Sequence, residues 1–364
     1  MKKLLLVFGT RPEAIKLCPL VCELRRRGAE AVVCVTGQHR RMLDQALAAF
    51  RLTPEHDLDV SRPGQTLTDL TTAVLERLPP VLAAERPDIV LVHGDTTTAF
   101  AAALACYYAR VPVGHVEAGL RTGDIFAPYP EEFNRRAVDA VSRYLFAPTA
   151  ENRANLLREG ADPNRVFVTG NTVVDALALT VRPDFTHPAL DEAAGRRFLL
   201  VTAHRRESLG EPMRRMFAAI RALAAEREDV YILCPVHENP AVRAAAYEAL
   251  GGCARVRLTE PLDVEAFHNL LARSYFVLTD SGGIQEEASA LGKPVLVMRD
   301  VTERPEGVAA GGLRLVGTDP ETILSASRQL LDDPGTYDAM ARAANPYGDG
   351  TACRRIADIL LGGA

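Results

Sequence analysis

The sequence lacks any apolar run long enough to cross a membrane and any cysteine spacing typical of zinc or redox sites. A transmembrane helix needs about 20 consecutive apolar residues. The first apolar run, 4–8, ends at Gly9 and is also too short for the core of a signal peptide. The seven cysteines form no CxxC pair, and most lie within apolar runs. We therefore expect a soluble, cytoplasmic protein with buried, reduced thiols and no structural metal.

The sequence also lacks a surplus of basic residues and the common nucleotide-binding glycine motifs. Lys and Arg total 42 against 47 Asp and Glu, a net charge of −5, which argues against partners such as nucleic acid or an anionic membrane surface. The turn after the first apolar run has neither the G-x-G-x-x-G nor the P-loop pattern. No dinucleotide cofactor is indicated.

What the sequence does contain is a regular alternation of short apolar runs with longer stretches of helical periodicity. Unbroken runs rich in Val, Ile and Leu are typical of parallel strands covered on both faces. Alternation with helices predicts an α/β chain of doubly wound, Rossmann-like parallel sheets. The predicted strands are 3–8, 31–35, 88–93, 111–116, 143–147, 198–203, 230–235, 255–259, 275–280, 294–299 and 313–316.

The length of 364 residues favours two domains, because single hydrophobic cores rarely grow so large. A polar, proline-containing stretch between about 170 and 195 separates two halves that each restart a βα pattern. We predict an N-terminal domain over 1–172, a C-terminal domain over 173–345, and a final segment over 346–364 that packs with either half.

Residues that follow the strands of the first half are the first candidates for chemistry, since ligands of open parallel sheets bind at the carboxyl ends of strands. Asp95 and Glu117 follow neighbouring strands, and Glu131 opens a later helix. Taken singly, such carboxylates also serve as helix caps or dipole partners. Together at one sheet edge they indicate proton chemistry, because crowded acids drive their pKa values apart. Arg11 and Lys16 begin the first helix and form a candidate anion clamp.

The second half contains candidates for anion binding. His204 follows the strand 198–203, and the segment Ser281-Gly282-Gly283 lies at a strand-to-helix turn where backbone N–H groups suit a diphosphate. Glu287, one helical turn later, is a candidate acceptor for ribose hydroxyls, and Arg304 is a further cation. Glycine-rich turns are common, so this pattern alone is only moderately specific.

The order and spacing of these segments resemble the non-hydrolysing UDP-N-acetylglucosamine 2-epimerases essentially end to end. That resemblance implies the GT-B arrangement, two Rossmann-like domains facing a cleft. The motifs that carry it are FGTRPEAIK (8–16), VTGQHRRMLDQ (35–45), VHGDTTT (92–98), GHVEAGLRTGD (114–124), PYPEE.NR (128–135), TGNTVVDAL (169–177), TAHRRES (202–208), PVHENP (235–240), LTDSGGIQEEASALGKPVLVMRDVTERPEG (278–307) and NPYGDGTACRRI (345–356).

The resemblance implies reversible inversion at C2 of UDP-N-acetylglucosamine to UDP-N-acetylmannosamine, by anti elimination of UDP through a 2-acetamidoglucal and re-addition. It implies no cofactor, and a homodimer. By position in these motifs, the catalytic residues would be Asp95, Glu117, Glu131 and His204. The residues that would bind substrate are Arg11, Lys16, Phe267, Ser281, Gly282, Gly283, Glu287 and Arg304. Leu262 replaces a more usual polar residue near Phe267, where the family packs against uracil.

Many bacterial members bind a second UDP-N-acetylglucosamine as an activator, and the matching positions are Gln38, Arg205 and His237. Arg41 and Gly64 depart from the residues that some members have there. Three other functions remain open at this point: a GT-B glycosyltransferase, a hydrolysing epimerase, and a sugar-nucleotide sensor without catalysis.

Overall fold

The computed structural model of the protein describes residues 2–37, 40–62 and 64–362. The chain divides into two compact units, Met1–Leu179 together with Tyr347–Ala364, and Thr180–Pro346. The helix that follows residue 172 therefore lies in the first unit, where its apolar side chains Val173, Ala176 and Leu177 are buried.

The described residues of the first unit form a sheet of seven parallel strands, in the order β3-β2-β1-β4-β5-β6-β7. The chain winds outward from β1 in one direction and from β4 in the other, so the order reverses between these two strands. The strands are β1 (Lys3–Phe8), β2 (Glu30–Val35), β3 (His56–Asp57), β4 (Ile89–His93), β5 (Val113–Val116), β6 (Tyr144–Ala147) and β7 (Val166–Val168).

The central strands of this sheet are buried along almost their whole length because helices cover it. The longest begin at polar capping residues such as Thr66 and Thr96, whose hydroxyls accept hydrogen bonds from the first turn. The helices are α1 (Arg11–Arg26), α2 (Arg40–Ala49), α3 (Leu67–Glu85), α4 (Thr97–Tyr108), α5 (Glu131–Val141), α6 (Ala150–Arg158), α7 (Thr172–Thr180) and, after the second unit, α16 (Ala352–Leu361).

The second unit repeats the plan with six parallel strands among its described residues, in the order β10-β9-β8-β11-β12-β13. Its order reverses between β8 and β11. The strands are β8 (Arg197–Thr202), β9 (Val230–Pro235), β10 (Val256–Thr259), β11 (Val277–Thr279), β12 (Val295–Val297) and β13 (Leu313–Leu315). The helices are α8 (Pro188–Glu192), α9 (Glu211–Glu226), α10 (Pro240–Leu250), α11 (Val264–Arg273), α12 (Gly282–Ala290), α13 (Pro305–Ala309), α14 (Pro320–Asp332) and α15 (Pro334–Ala341).

The predicted fold class, two doubly wound parallel sheets, is confirmed. The prediction missed β3 and β7, which are two and three residues long and lie at the edges of the first sheet. β3 consists of the polar residues His56 and Asp57, and the three residues of β7 lie between polar flanks, so neither forms a long apolar run. None of the described helices combines the length and apolar character needed to cross a membrane.

The loop after β5 has an unusual backbone that sets the direction of a candidate catalytic side chain. Glu117 has φ +70°, a left-handed conformation that non-glycine residues seldom adopt. Two residues later Gly119 has φ +86°, and a Cβ there would lie 2.3 Å from the backbone oxygen of Asn152 on α6. Only glycine fits at this position, so the loop is held tightly against α6.

We expect Gly119→Ala to destabilise the protein much more than Gly123→Ala. Gly123 has a matching φ of +88° but open space around a built Cβ, so its substitution adds only backbone strain of about 1–2 kcal/mol. Gly119→Ala adds a clash with the backbone of Asn152, for a total of about 3 kcal/mol or more. Thermal unfolding by circular dichroism measures both variants, and equal melting temperatures would contradict the close packing of this loop.

Candidate active site

The carboxyl ends of β4 and β5, beside the reversal point of the first sheet, hold two of the predicted catalytic carboxylates. Asp95 follows β4 and is 27% exposed. Arg135 on α5 donates to its carboxylate from Nε at 3.1 Å and also from a terminal nitrogen. Asn134 donates to the backbone oxygen of Asp95 at 2.9 Å. Asp95 is therefore an ion-paired carboxylate in a fixed position.

Glu117, after β5, makes an ion pair with Lys16 of α1, and each side chain is only 9% exposed. Its backbone N–H donates to the carbonyl of Phe146 at 3.1 Å, which stabilises the left-handed conformation. Lys16 was predicted to bind the anionic part of the substrate. The structure shows that its ammonium also neutralises a predicted catalytic acid.

Burial lowers the pKa of His93, the last residue of β4, to about 4. The Glu117 carboxylate, 3.6 Å from His93 Nε2, favours the charged ring, but the loss of hydration outweighs this attraction and Lys16 opposes protonation further. His93 is thus a neutral, buried imidazole beside the carboxylate at neutral pH.

Glu131 is the first residue of α5, where a carboxylate interacts favourably with the helix dipole. Its Oε2 is buried and makes no hydrogen bond within the described part of the chain. Glu132, next to it, is completely buried and binds Arg135 and Arg136 instead. The two adjacent acids therefore differ: Glu132 binds two arginines of its own helix, while a buried oxygen of Glu131 makes no hydrogen bond within the described residues.

Three residues outside the predicted set lie beside these carboxylates: His93, described above, and also Arg135 and Asn171. Arg135 lies one helical turn after Glu131, so helical spacing could have indicated it. Asn171 donates from Nδ2 to Glu117 Oε2 at 3.1 Å. No sequence signal predicts that contact, because the two residues are far apart in the chain.

In the second unit the predicted residue His204 lies at the reversal point between β8 and β11. Asp280, which follows β11 and is completely buried, accepts the backbone N–H groups of His204 and Arg205 at 2.9 Å. The His204 ring lies 3.3 Å from the same carboxylate through Nδ1 and stacks on His237 with ring centres 5.5 Å apart. Burial lowers the pKa of His204, although Asp280 opposes this shift.

The predicted diphosphate turn forms the N-terminus of α12, with Ser281 as the capping residue and Gly282 and Gly283 in the first turn. A Cβ built on Gly282 would lie 3.3 Å from a terminal nitrogen of Arg205 and 3.4 Å from Cζ of Arg304. Two guanidinium groups therefore flank a helix N-terminus, an arrangement well suited to a diphosphate. Arg205, expected at the activator site, lies beside this turn.

The remaining predicted residues of the second unit lie on neighbouring helices. Glu287 on α12 is 8% exposed, and its Oε2 is 3.8 Å from Nε2 of His268 on α11. Phe267 is 9% exposed and belongs to an apolar cluster against which Leu262 also packs. Phe267 thus contributes to the core of this unit.

The remaining residues from the sequence analysis are Arg11, Gln38, Arg41 and Gly64. Arg11 is the first residue of α1, five positions before Lys16 on the same helix. Gln38 lies outside the described residues, and so does the side chain of Arg41. Gly64 lies in a turn with φ +72°. Within the described ranges, no group of three or more His, Cys, Asp or Glu side chains is arranged to hold a metal ion.

We expect His93 to stay neutral down to about pH 4 to 5. Its folded pKa of about 4 lies below the ordinary value of 6.5, so the folded state binds this proton more weakly than the unfolded chain. The His93 contribution to stability therefore falls as the pH drops from 6.5 towards 4. NMR of ¹³C-labelled histidines, with His93→Gln for assignment, measures the midpoint, and titration near 6.5 would contradict the burial argument.

Comparison with known proteins agrees with this geometry. A family model described as UDP-N-acetylglucosamine 2-epimerase matches residues 22–361. The chain is 55% identical over 364 residues to the UDP-N-acetylglucosamine 2-epimerase of Bacillus subtilis (strain 168), covering 99% of this chain and 96% of that protein.

Solved structures of two similar proteins have the same fold as this chain. The Neisseria meningitidis UDP-GlcNAc 2-epimerase bound to UDP-GlcNAc superimposes with a TM-score of 0.93 at 44% identity, covering 99% of this chain and 100% of that one. S. aureus MnaA in its structure with UDP has a TM-score of 0.93 at 48% identity, covering 100% and 97%. The chain therefore belongs to the UDP-N-acetylglucosamine 2-epimerase family, as its motifs predicted.

Proposed function

We propose that the protein catalyses the reversible C2 epimerisation of UDP-N-acetylglucosamine to UDP-N-acetylmannosamine. The observation that carries this proposal is the pair of cation-bound carboxylates, Asp95 and Glu117, at neighbouring strand ends of the first sheet. Family membership and the relatives whose structures contain UDP or UDP-GlcNAc support the choice of substrate.

The chemistry we propose is an elimination followed by a re-addition. The C2–H bond breaks as its proton passes to a carboxylate, and its electron pair becomes the C1–C2 double bond. Cleavage of the C1–O bond runs ahead of this proton transfer, its electron pair leaves with UDP, and a 2-acetamidoglucal forms. Protonation of C2 on the opposite face and return of the UDP oxygen to C1 complete the inversion.

This reaction suits acid–base groups because the C2 proton is not next to a carbonyl. C1–O cleavage must run ahead of proton removal, so positive charge develops on the ring. Carboxylates such as Asp95 and Glu117, each held by a cation, stabilise that charge. Glu131, whose buried Oε2 makes no hydrogen bond within the described residues, exchanges the proton. His204, held by Asp280, completes the catalytic set.

The departing UDP acquires negative charge, which the second unit is built to stabilise. We assign the diphosphate to the N-terminus of α12, flanked by Arg205 and Arg304. Glu287 accepts hydrogen bonds from the ribose hydroxyls, and Arg11 and Lys16 are assigned to anion binding as further cations. The proposed reaction consumes no water and requires no cofactor.

A cytoplasmic location of the protein stays a prediction.

We expect the protein to incorporate deuterium at C2 when UDP-N-acetylglucosamine is incubated with it in deuterated buffer. Proton removal and return at C2 exchange this hydrogen with solvent, while UDP-N-acetylmannosamine appears. A ¹H NMR time course measures both. Hydrolysis to free N-acetylmannosamine and UDP would indicate a hydrolysing enzyme, and conversion only with an added acceptor would indicate a glycosyltransferase. Binding without turnover would indicate a sensor.

The variant that tests the catalytic role of Asp95 is Asp95→Asn, which keeps the size of the side chain and removes its charge. We expect kcat to fall by about 10²–10⁴-fold. Asp184→Asn, the same change at an exposed position, should leave the rate near that of the unsubstituted protein. Full turnover by a folded Asp95→Asn protein would refute this assignment.

We also propose a homodimer through α3 and α4. Tyr107 and Tyr108 at the end of α4 are 60% and 70% exposed. Tyr108 lines an apolar recess of about 300 Å³ together with Leu75, Pro79, Ala105 and Ala109. Large aromatic side chains beside an apolar recess are typical of surfaces buried on association.

We expect Tyr108→Glu to convert the dimer to a monomer, because a carboxylate at the centre of an apolar interface loses its hydration without gaining a partner. Sedimentation velocity measures the mass of each species. Tyr247→Glu, at a tyrosine of α10 that is 47% exposed, is the control and should remain dimeric. A monomeric unsubstituted protein, or a dimeric Tyr108→Glu variant, would contradict this interface.

A further inference from the structure

Asn171 connects the C-terminal segment of the chain to the carboxylate of Glu117. Its side chain is buried, and Nδ2 donates to Glu117 Oε2 at 3.1 Å. Its backbone N–H donates to the carbonyl of Tyr347 at 2.7 Å. All three residues lie in the first unit. One short residue thus contacts both a proposed catalytic acid and a segment that follows the whole second unit in sequence.

The orientation of the Asn171 amide follows from its other partner. The backbone N–H of Val173 points at Asn171 Oδ1, 3.0 Å away, and an N–H can only donate. The amide oxygen must therefore face Val173, and the NH₂ group faces Glu117. A carboxylate accepts such a bond most strongly when it is ionised, so the contact favours the charged form of Glu117 in one orientation.

The C-terminal segment is packed tightly against the turn that carries Asn171. Gly170 has φ +89° and Gly348 has φ +123°. A Cβ on Gly348 would lie 3.2 Å from Cα of Gly170 and 3.5 Å from the backbone nitrogen of Asn171. Two glycines in left-handed conformations therefore let the two backbones approach each other directly.

Two further contacts fix this arrangement. Asp175 on α7 accepts the backbone N–H groups of Ala352 at 3.2 Å and Cys353 at 2.9 Å, at the beginning of α16. Arg355 on α16 donates to the carbonyl of Thr169 at 3.1 Å. The start of α16 and the start of α7 thus hold each other, and Asn171 lies between these contacts and Glu117.

We propose that Asn171 is a positioning residue that orients the Glu117 carboxylate and keeps it ionised, and that the segment 347–355 fixes Asn171 for this role. The inference rests on the proposed function of Glu117. It also gives a role to the conspicuous motifs at 169–177 and 345–356, which the proposed chemistry otherwise leaves unused. The competing explanation is that Asn171 only caps α7 through Oδ1.

Asn171→Asp separates the two explanations, because an aspartate keeps the capping oxygen and replaces the donor with a second carboxylate facing Glu117. Like charges raise the pKa of one partner. We expect the acidic limb of the kcat profile to move up by about one pH unit or more, so that kcat at a pH on that limb falls by about tenfold or more, with KM within about twofold. If Asn171 only caps α7, the neutral variant Asn171→Ser, which keeps a capping oxygen, leaves both the limb and kcat in place.

Two other variants control this experiment. Asn171→Ser keeps a capping oxygen but is too short to reach Glu117. The bond that favours the ionised carboxylate is then lost, so we expect a lower kcat and an upward shift of the limb that is smaller than in Asn171→Asp. Asn164→Asp makes the same chemical change at an exposed position of the first unit and should match the unsubstituted protein in both limb and kcat. An unshifted limb and unchanged kcat in Asn171→Asp would overturn the inference.

A measurement without turnover keeps the inference distinct from the proposed function. ¹³C-labelled glutamate carboxyl groups report the titration of Glu117 directly, with Glu117→Gln for assignment. We expect a higher midpoint in Asn171→Asp than in the unsubstituted protein, and equal midpoints would overturn the positioning role. If the unsubstituted protein does not epimerise UDP-N-acetylglucosamine, the proposed function fails, while this titration still decides whether Asn171 sets the charge of Glu117.

Discussion

The ion pair between Lys16 and Glu117 is the interaction on which the first unit's site depends. Both side chains are almost completely withdrawn from water at the end of an apolar parallel sheet. Buried charges are stable only when each has a partner and its remaining hydrogen-bonding capacity is satisfied. The loop after β5 adopts a left-handed conformation at Glu117, and the turn between β7 and α7 places Asn171 against the same carboxylate. The backbone conformation at Glu117 and the position of Asn171 therefore both stabilise this one ion pair.

The two units carry opposite kinds of chemistry. The first provides carboxylates paired with cations, as at Asp95 with Arg135. The second provides a helix N-terminus flanked by Arg205 and Arg304, with Asp280 fixing the adjacent turn. The elimination proposed above develops positive charge on the sugar ring and negative charge on the diphosphate, and each kind of group suits one of these charges. The same doubly wound plan supplies them, because each sheet reverses its strand order once and exposes loop residues at that point.

The sequence was most informative about the central strands and the residues directly after them. The strand-end positions of Asp95, Glu117 and His204 were predicted correctly because long apolar runs indicate buried strands. In a parallel sheet the carboxyl ends of these strands lie along one edge. The edge strands β3 and β7 were missed because β3 is polar and β7 has only three residues between polar flanks, so neither forms a long apolar run. Lys16 was assigned to the substrate alone, since nothing in the sequence of α1 indicates that its ammonium reaches the end of β5.

The sequence by itself therefore determined the α/β class, the doubly wound order and the family, because these depend on local periodicity and on short motifs. Only the tertiary structure decided which charges meet. Lys16 pairs with Glu117, Arg135 with Asp95, and Asn171 joins Glu117 to Tyr347, all across large separations in the chain. Such contacts depend on the packing of elements around a sheet, and the balance of burial and pairing there sets the charge of each group.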